Sequence, residues 1–82
     1  NTPNLTVENY NYFAILRWVN DWGIPNRCLY LNIEMSLDQE NTWSTIDTLD
    51  LSNNQDWYVV YLSPFTEYCF RLVAYNKANG RL

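Results

Sequence analysis

Two cysteines and nine acidic side chains hold most of the intrinsic reactivity of this 82-residue chain, and their context argues against catalysis. Histidine is absent, which removes the commonest general base, and no Ser, Thr or Cys stands in a context that would activate it. No catalytic residue is therefore expected. Cys28 and Cys69 alone cannot complete a four-ligand structural zinc site, and no phosphate-binding, dinucleotide or calcium loop occurs. Neither a metal nor a cofactor is expected. The close carboxylates, Asp38 with Glu40 and Asp47 with Asp50, fall at loop or strand-end positions and read as a solvated face.

What remains is recognition by surface. Four Trp, seven Tyr and three Phe supply the bulk that a chain of this size needs, because so small a domain buries only about 60% of its extended surface. The net charge of −4 and the lack of a basic cluster disfavour nucleic acid and anionic membranes as partners. No apolar run approaches the ~20 residues of a bilayer span, and no signal-like segment opens the chain. Direct membrane insertion is not expected; the segment should be soluble as given, with any anchor outside it.

The positioning elements follow from alternation. Pro64 cannot donate to a ladder, so the chain turns there. From Tyr68 onward, Tyr68, Phe70, Leu72 and Ala74 take an apolar face, opposite Cys69, Arg71, Val73 and Tyr75. Tyr68 stands just after the corner, where its hydroxyl can reach back to an upstream backbone group. Residues 12–19 alternate with Ala14, Leu16 and Trp18 inward and Phe13, Ile15 and Arg17 outward. Residues 20–27 form a loop by their turn chemistry, and Trp22 in it reads either as a lid on the sandwich or as a binding anchor.

Residues 28–36 alternate again, with Leu29, Leu31, Ile33 and Met35 inward and Cys28, Tyr30, Asn32 and Glu34 outward. A polar turn over 37–41 leads to a strand over 42–49 that carries Trp43 and Ile46, and residues 50–56 are a polar connection. Residues 57–62 form another strand. Pro3, Leu5 and Val7 mark a short first strand suited to an edge. Asn79-Gly80 predicts a type I′ hairpin that returns the chain as a last strand. Asn4-Leu5-Thr6 is a glycosylation triplet, which makes Asn4 a candidate modification site if the protein is secreted.

The line Leu62-x-Pro64-x-Thr66-Glu67-Tyr68-x-Phe70-Arg71-x-x-Ala74-x-Asn76, with Leu16-Arg17-Trp18 and Pro3-x-Leu5-x-Val7 upstream, resembles the fibronectin type III family over nearly the whole chain. The resemblance implies one immunoglobulin-like, all-β domain over residues 1–82, an antiparallel β-sandwich with family strands A, B and E packed on C′, C and F. It implies that Trp18, Leu62, Pro64 and Tyr68 are structural. It also implies that Trp57, Val59 and Leu62 face inward while Tyr58 and Val60 face out. The family's final G strand has no counterpart after Gly80.

By the same resemblance, the expected function is a non-catalytic protein-binding or spacer module of a larger cell-surface receptor or adhesion protein. Its partners would be proteins and neighbouring domains of the same chain, and its home extracellular. Alternatives are a ligand-binding cytokine-receptor-type domain, in which the residue matching Cys69 bonds to the next strand, an accessory module of an enzyme, and an intracellular scaffold domain mediating protein–protein interaction. The outward residues Tyr30, Arg71, Val73 and Tyr75, an aromatic and Arg mixture enriched in interfaces, are the candidate binding patch, with Trp22. A solvent-face Arg71 should be removable with stability nearly intact. If the two strands that hold Cys28 and Cys69 are antiparallel neighbours, about seven residues of ladder separate the thiols. That is ~20 Å, against a limit near 7 Å for a disulfide. No Cys28–Cys69 bond is expected.

Overall fold

Apolar side chains at every second position make strands whose inner faces must be covered, and the chain covers them by stacking two sheets. The computed structural model describes residues 4–82, so Pro3 lies outside the described residues. The strands are β1 (Thr6–Asn9), β2 (Phe13–Arg17), β3 (Leu29–Ser36), β4 (Ser44–Asp50), β5 (Trp57–Tyr61) and β6 (Cys69–Asn76). They form two antiparallel three-stranded sheets, ordered β1-β2-β5 and β4-β3-β6. Among the described residues there is no α-helix, only 3₁₀ turns at Asn26–Cys28 and Leu51–Asn53.

The core lies between the sheets. Ala14, Leu16, Leu29, Leu31 and Ile33 are fully buried there, with Trp18, Val60 and Leu72 nearly so. Each buried Leu, Ile or Val side chain contributes roughly 1.5–3 kcal/mol relative to exposure. Leu5 just before β1, Val7 of β1, and Phe70 and Ala74 of β6 pack against this cluster from its margins.

The β5–β6 corner is held by Tyr68, whose hydroxyl accepts the Ser63 backbone N–H at 3.1 Å. Leu62 beside it packs on the core, and its N–H donates to the Tyr12 carbonyl at 2.7 Å. Pro64 follows, half-buried, at the bend.

Four expectations of the fold are corrected. The phase of β5 is the reverse of the one expected. Tyr58 and Val60 face the core, where they stand opposite Leu16 and Ala14 of β2, while Trp57 and Tyr61 are exposed. Pairing decides this, since inward Trp57 and Val59 would carry Ala14 and Leu16 to the surface. Glu34 faces outward as expected, opposite Arg71, yet is only 9% exposed. Cys28 ends a 3₁₀ turn and is not in the strand. Leu51 of the polar connection is a fully buried core residue.

The last turn is the fourth difference. Asn79 does not have the positive φ that a type I′ turn requires; only Gly80 does, at +75°. The turn is wider: Gly80 N–H donates to the Asn76 carbonyl at 2.7 Å, and Asn76 N–H donates to that of Arg81 at 3.2 Å. The chain thus begins to return along β6, and no strand follows within residues 77–82.

Two local devices shape the β3–β4 hairpin. The register shifts between Ile33, opposite Asp47, and Glu34, opposite Thr45, which leaves Ile46 as the extra residue of a β-bulge. The bulge brings Ile46 onto the core although it breaks the alternation. In the turn, Ser36 and Asp38 cap free backbone N–H groups: Glu40 N–H donates to Ser36 Oγ at 2.9 Å and Thr42 N–H to Asp38 Oδ1 at 2.8 Å. These bonds hold Gln39 and Glu40 in the left-handed region.

Candidate protein-binding face

The outer face of β4-β3-β6 collects Tyr30, Arg71, Val73 and Tyr75, as alternation along β3 and β6 requires. Tyr30 stands directly opposite Tyr75, Asn32 opposite Val73, and Glu34 opposite Arg71. The four candidates therefore form one stripe across two strands.

At one end of the stripe, Lys77 Nζ lies 5.0 Å from the centroid of the Tyr30 ring and donates to Asp50 Oδ1 at 2.7 Å. The Lys77 hydrogen bond, with a second from Ser52 N–H, lowers the Asp50 carboxyl to about 2. In the middle, Thr48 Oγ1 donates to Asn32 Oδ1 at 2.7 Å. At the other end, Arg71 Nε donates to Glu34 Oε1 at 2.7 Å, and Thr45 Oγ1 donates to Glu34 Oε2 at 3.0 Å. The Arg71 guanidinium carbon sits 4.3 Å from the centroid of the Trp43 ring, a cation–π distance. Arg71 is clamped between a carboxylate and an indole.

This arrangement orders large side chains before any partner arrives. Such ordering lowers the entropy cost of binding, about 0.5–1.5 kcal/mol for each side chain that no longer has to be immobilised. Alternation identified the residues on β3 and β6. It did not find Trp43 and Lys77, because Trp43 lies beyond a bulge and Lys77 in a turn.

Trp22 is elsewhere. Its indole is 6% exposed and belongs to the core, at the end of the sandwich that holds the residues 20–27 loop. Asn20 Oδ1 accepts from Nε1 of both Trp18 and Trp22 at 3.0 Å, and Asn20 Nδ2 donates to the Gln55 carbonyl at 2.9 Å. Trp22 presents almost no surface to a partner, so it leaves the set of candidate binding residues.

At the opposite end, the β1–β2 turn and the β5–β6 corner enclose an open crevice of about 350 Å3, lined by Tyr10, Tyr12, Phe65 and Tyr68 among others. Tyr10 stacks on Phe13 with ring centroids 4.6 Å apart. Phe65 is fully exposed, with a left-handed φ of 61°. The sequence marks Leu62, Pro64 and Tyr68 here as a structural corner and does not mark the crevice itself.

Asn4 is exposed just before β1. Cys28 and Cys69 are free thiols at opposite ends of the β3–β6 ladder: Leu29, next to Cys28, faces Asn76, while Ser36 faces Cys69. Among the described residues no group of His, Cys, Asp and Glu is arranged to hold a metal ion, and no helix is long and apolar enough to cross a membrane. Compared with protein-family models and with curated proteins, the chain matches neither.

Proposed function

We propose that this chain is a non-catalytic protein-binding module of fibronectin type III character within a larger cell-surface receptor or adhesion protein. The observation that carries the reading is the Tyr30–Tyr75 pair with its flanking clamps, an aromatic patch held in place by the Lys77–Asp50 and Arg71–Glu34 ion pairs. Aromatic and Arg side chains contribute most at interface centres, and pre-ordered ones contribute most per residue.

The test is an immobilised wild-type domain beside a Tyr30→Ala/Tyr75→Ala variant, each exposed to secreted and surface proteins of the native source. Proteins held by the wild type and lost from the variant support the face. Equal retention by both removes it. Intact mass of the natural protein, with and without reduction and glycosidase, separates the compartments. A glycan at Asn4, or a bond from Cys69 to a later cysteine, supports the receptor reading; bare Asn4 and two free thiols support an intracellular scaffold.

A further inference from the structure

Four strands end the two sheets among the described residues, and three of them are blunted. The first, β1, is four residues long and carries Glu8, paired with Arg17 at 2.6 Å. β4 carries Asp47 and Asp50 and is bulged at Ile46. β6 carries Arg71, and Arg81 already approaches its free side at Asn76. The remaining edge, Trp57-Tyr58-Val59-Val60-Tyr61, has no charge, no proline and no bulge. An unblunted apolar edge is a template for another strand.

The direction of its backbone groups follows from its neighbours. Leu62 N–H donates to the Tyr12 carbonyl, and the Asp56 carbonyl accepts Trp18 N–H, so the even positions of this strand point at β2. Trp57, Val59 and Tyr61 therefore turn their N–H and C=O groups to the free side. The Trp57 carbonyl alone is covered there, by Gln55 Nε2 at 2.7 Å. On the outer surface of the sheet, the Trp57 and Tyr61 side chains are 49% and 83% exposed. On the same flank, an open cleft of about 600 Å3 between β5 and β4 leaves Met35, Ile46 and Leu62 partly uncovered.

We propose that β5 pairs antiparallel with β5 of a second copy of this chain, about a two-fold axis at Val59. The strand is its own complement in this register. Val59 faces Val59 of the second copy and exchanges both backbone hydrogen bonds with it, and Trp57 faces Tyr61 on either side. Every outward backbone group finds a partner, since the second copy's Tyr61 N–H replaces Gln55 at the Trp57 carbonyl. Aromatic pairs form on the outer face, the arrangement that favours cross-strand association. The joined strands extend each three-stranded sheet into one continuous sheet and partly roof the cleft. The strand's lack of charge suits a like partner, while the chain's net charge of −4 opposes the approach at long range. The contact is small, which places its dissociation constant at roughly tens to hundreds of micromolar.

Sedimentation of the 82-residue chain over roughly 10 μM to 1 mM, at low and high salt, tests the pairing. The expected result is a dimer that tightens with salt and weakens at least tenfold in Tyr61→Lys, a variant checked for its fold by circular dichroism. In a Cys28→Ser/Cys69→Ser background, Val59→Cys should cross-link to itself under mild oxidation much faster than Tyr61→Cys. Trp57→Cys mixed with Tyr61→Cys should give the mixed dimer. A monomer throughout, a dimer indifferent to Tyr61→Lys, or equal cross-linking at positions 59 and 61 would each overturn the proposal.

Discussion

Arg71 Nε lies 2.7 Å from Glu34 Oε1, and the two side chains differ greatly in exposure, 47% for the arginine against 11% for the glutamate. The pair therefore matters more to Glu34 than to Arg71. Without its partner, Glu34 is a nearly buried carboxylate with one remaining hydroxyl donor, from Thr45. Arg71→Ala is expected to lower stability by about 1–2 kcal/mol, less than for a fully buried pair because solvent screens the arginine. This revises the expectation from sequence that the change is nearly silent. An unfolding midpoint unchanged from wild type would contradict it, and Arg71→Ala/Glu34→Gln should recover part of the loss.

Tyr68 holds the β5–β6 corner through the Ser63 N–H, but the ring is only half-buried and water can reach the bond. Tyr68→Phe should cost about 0.5–1.5 kcal/mol, the ordinary worth of a neutral hydrogen bond. A urea titration resolves a difference of this size. A variant as stable as wild type would mean that the ring alone holds the corner.

Asn20 joins two indoles to the strand-preceding segment at Gln55, using both ends of one amide. Asn20→Ala removes all three bonds at once and leaves two part-buried indole N–H groups without an acceptor. Its expected cost is about 2–3 kcal/mol. Near-ultraviolet circular dichroism and tryptophan emission should change with it, since Trp18 and Trp22 both report on the site. Unchanged spectra and an unchanged midpoint would show that water takes over the role of the amide.

Asp38 accepts the Thr42 hydroxyl, the Thr42 N–H and the Ser36 hydroxyl, and these bonds bring its carboxyl from the ordinary 3.8 down to about 2. A carboxyl lowered by folding adds stability that is fully present above its unfolded value and fades as pH falls through its folded one. The stability difference between wild type and Asp38→Asn should therefore be constant above about pH 5 and shrink between about pH 5 and pH 2. Chemical denaturation across that range measures it. A difference that does not vary with pH would remove the carboxylate charge from the turn's stability.

Legibility in the sequence tracked how strongly one face of each strand differed from the other. β3 alternates apolar with mostly polar residues, and in β2 and β6 one arginine, Arg17 or Arg71, marks the outward phase, so their inward sets could be read directly, and the corner at Tyr68 followed from Pro64. β5 is apolar on both faces. Trp57, Tyr58, Val59, Val60 and Tyr61 give no phase of their own, and only pairing with β2 settles which of them enter the core. The candidate face was half legible for a related reason. Tyr30, Arg71, Val73 and Tyr75 lie on regular strands, whereas Trp43 arrives through a bulge that shifts its strand by one residue, and Glu34 is buried by neighbours distant in the chain. Trp22 could be read either way until the Asn20 amide was seen to anchor it.

The pairing pattern also sets a timetable for folding. The β3–β4 hairpin closes over a short turn held by Ser36 and Asp38, while β2 must find β5 and β3 must find β6 across two intervening strands, as with Ile15 and Val59 or Leu29 and Asn76. Such distant closures place small β-sandwiches among the slow two-state folders, on the order of milliseconds to seconds. Until β2 captures it, the Trp57–Tyr61 strand has two open edges instead of one, so the interval before that capture is when the chain is most exposed to aggregation.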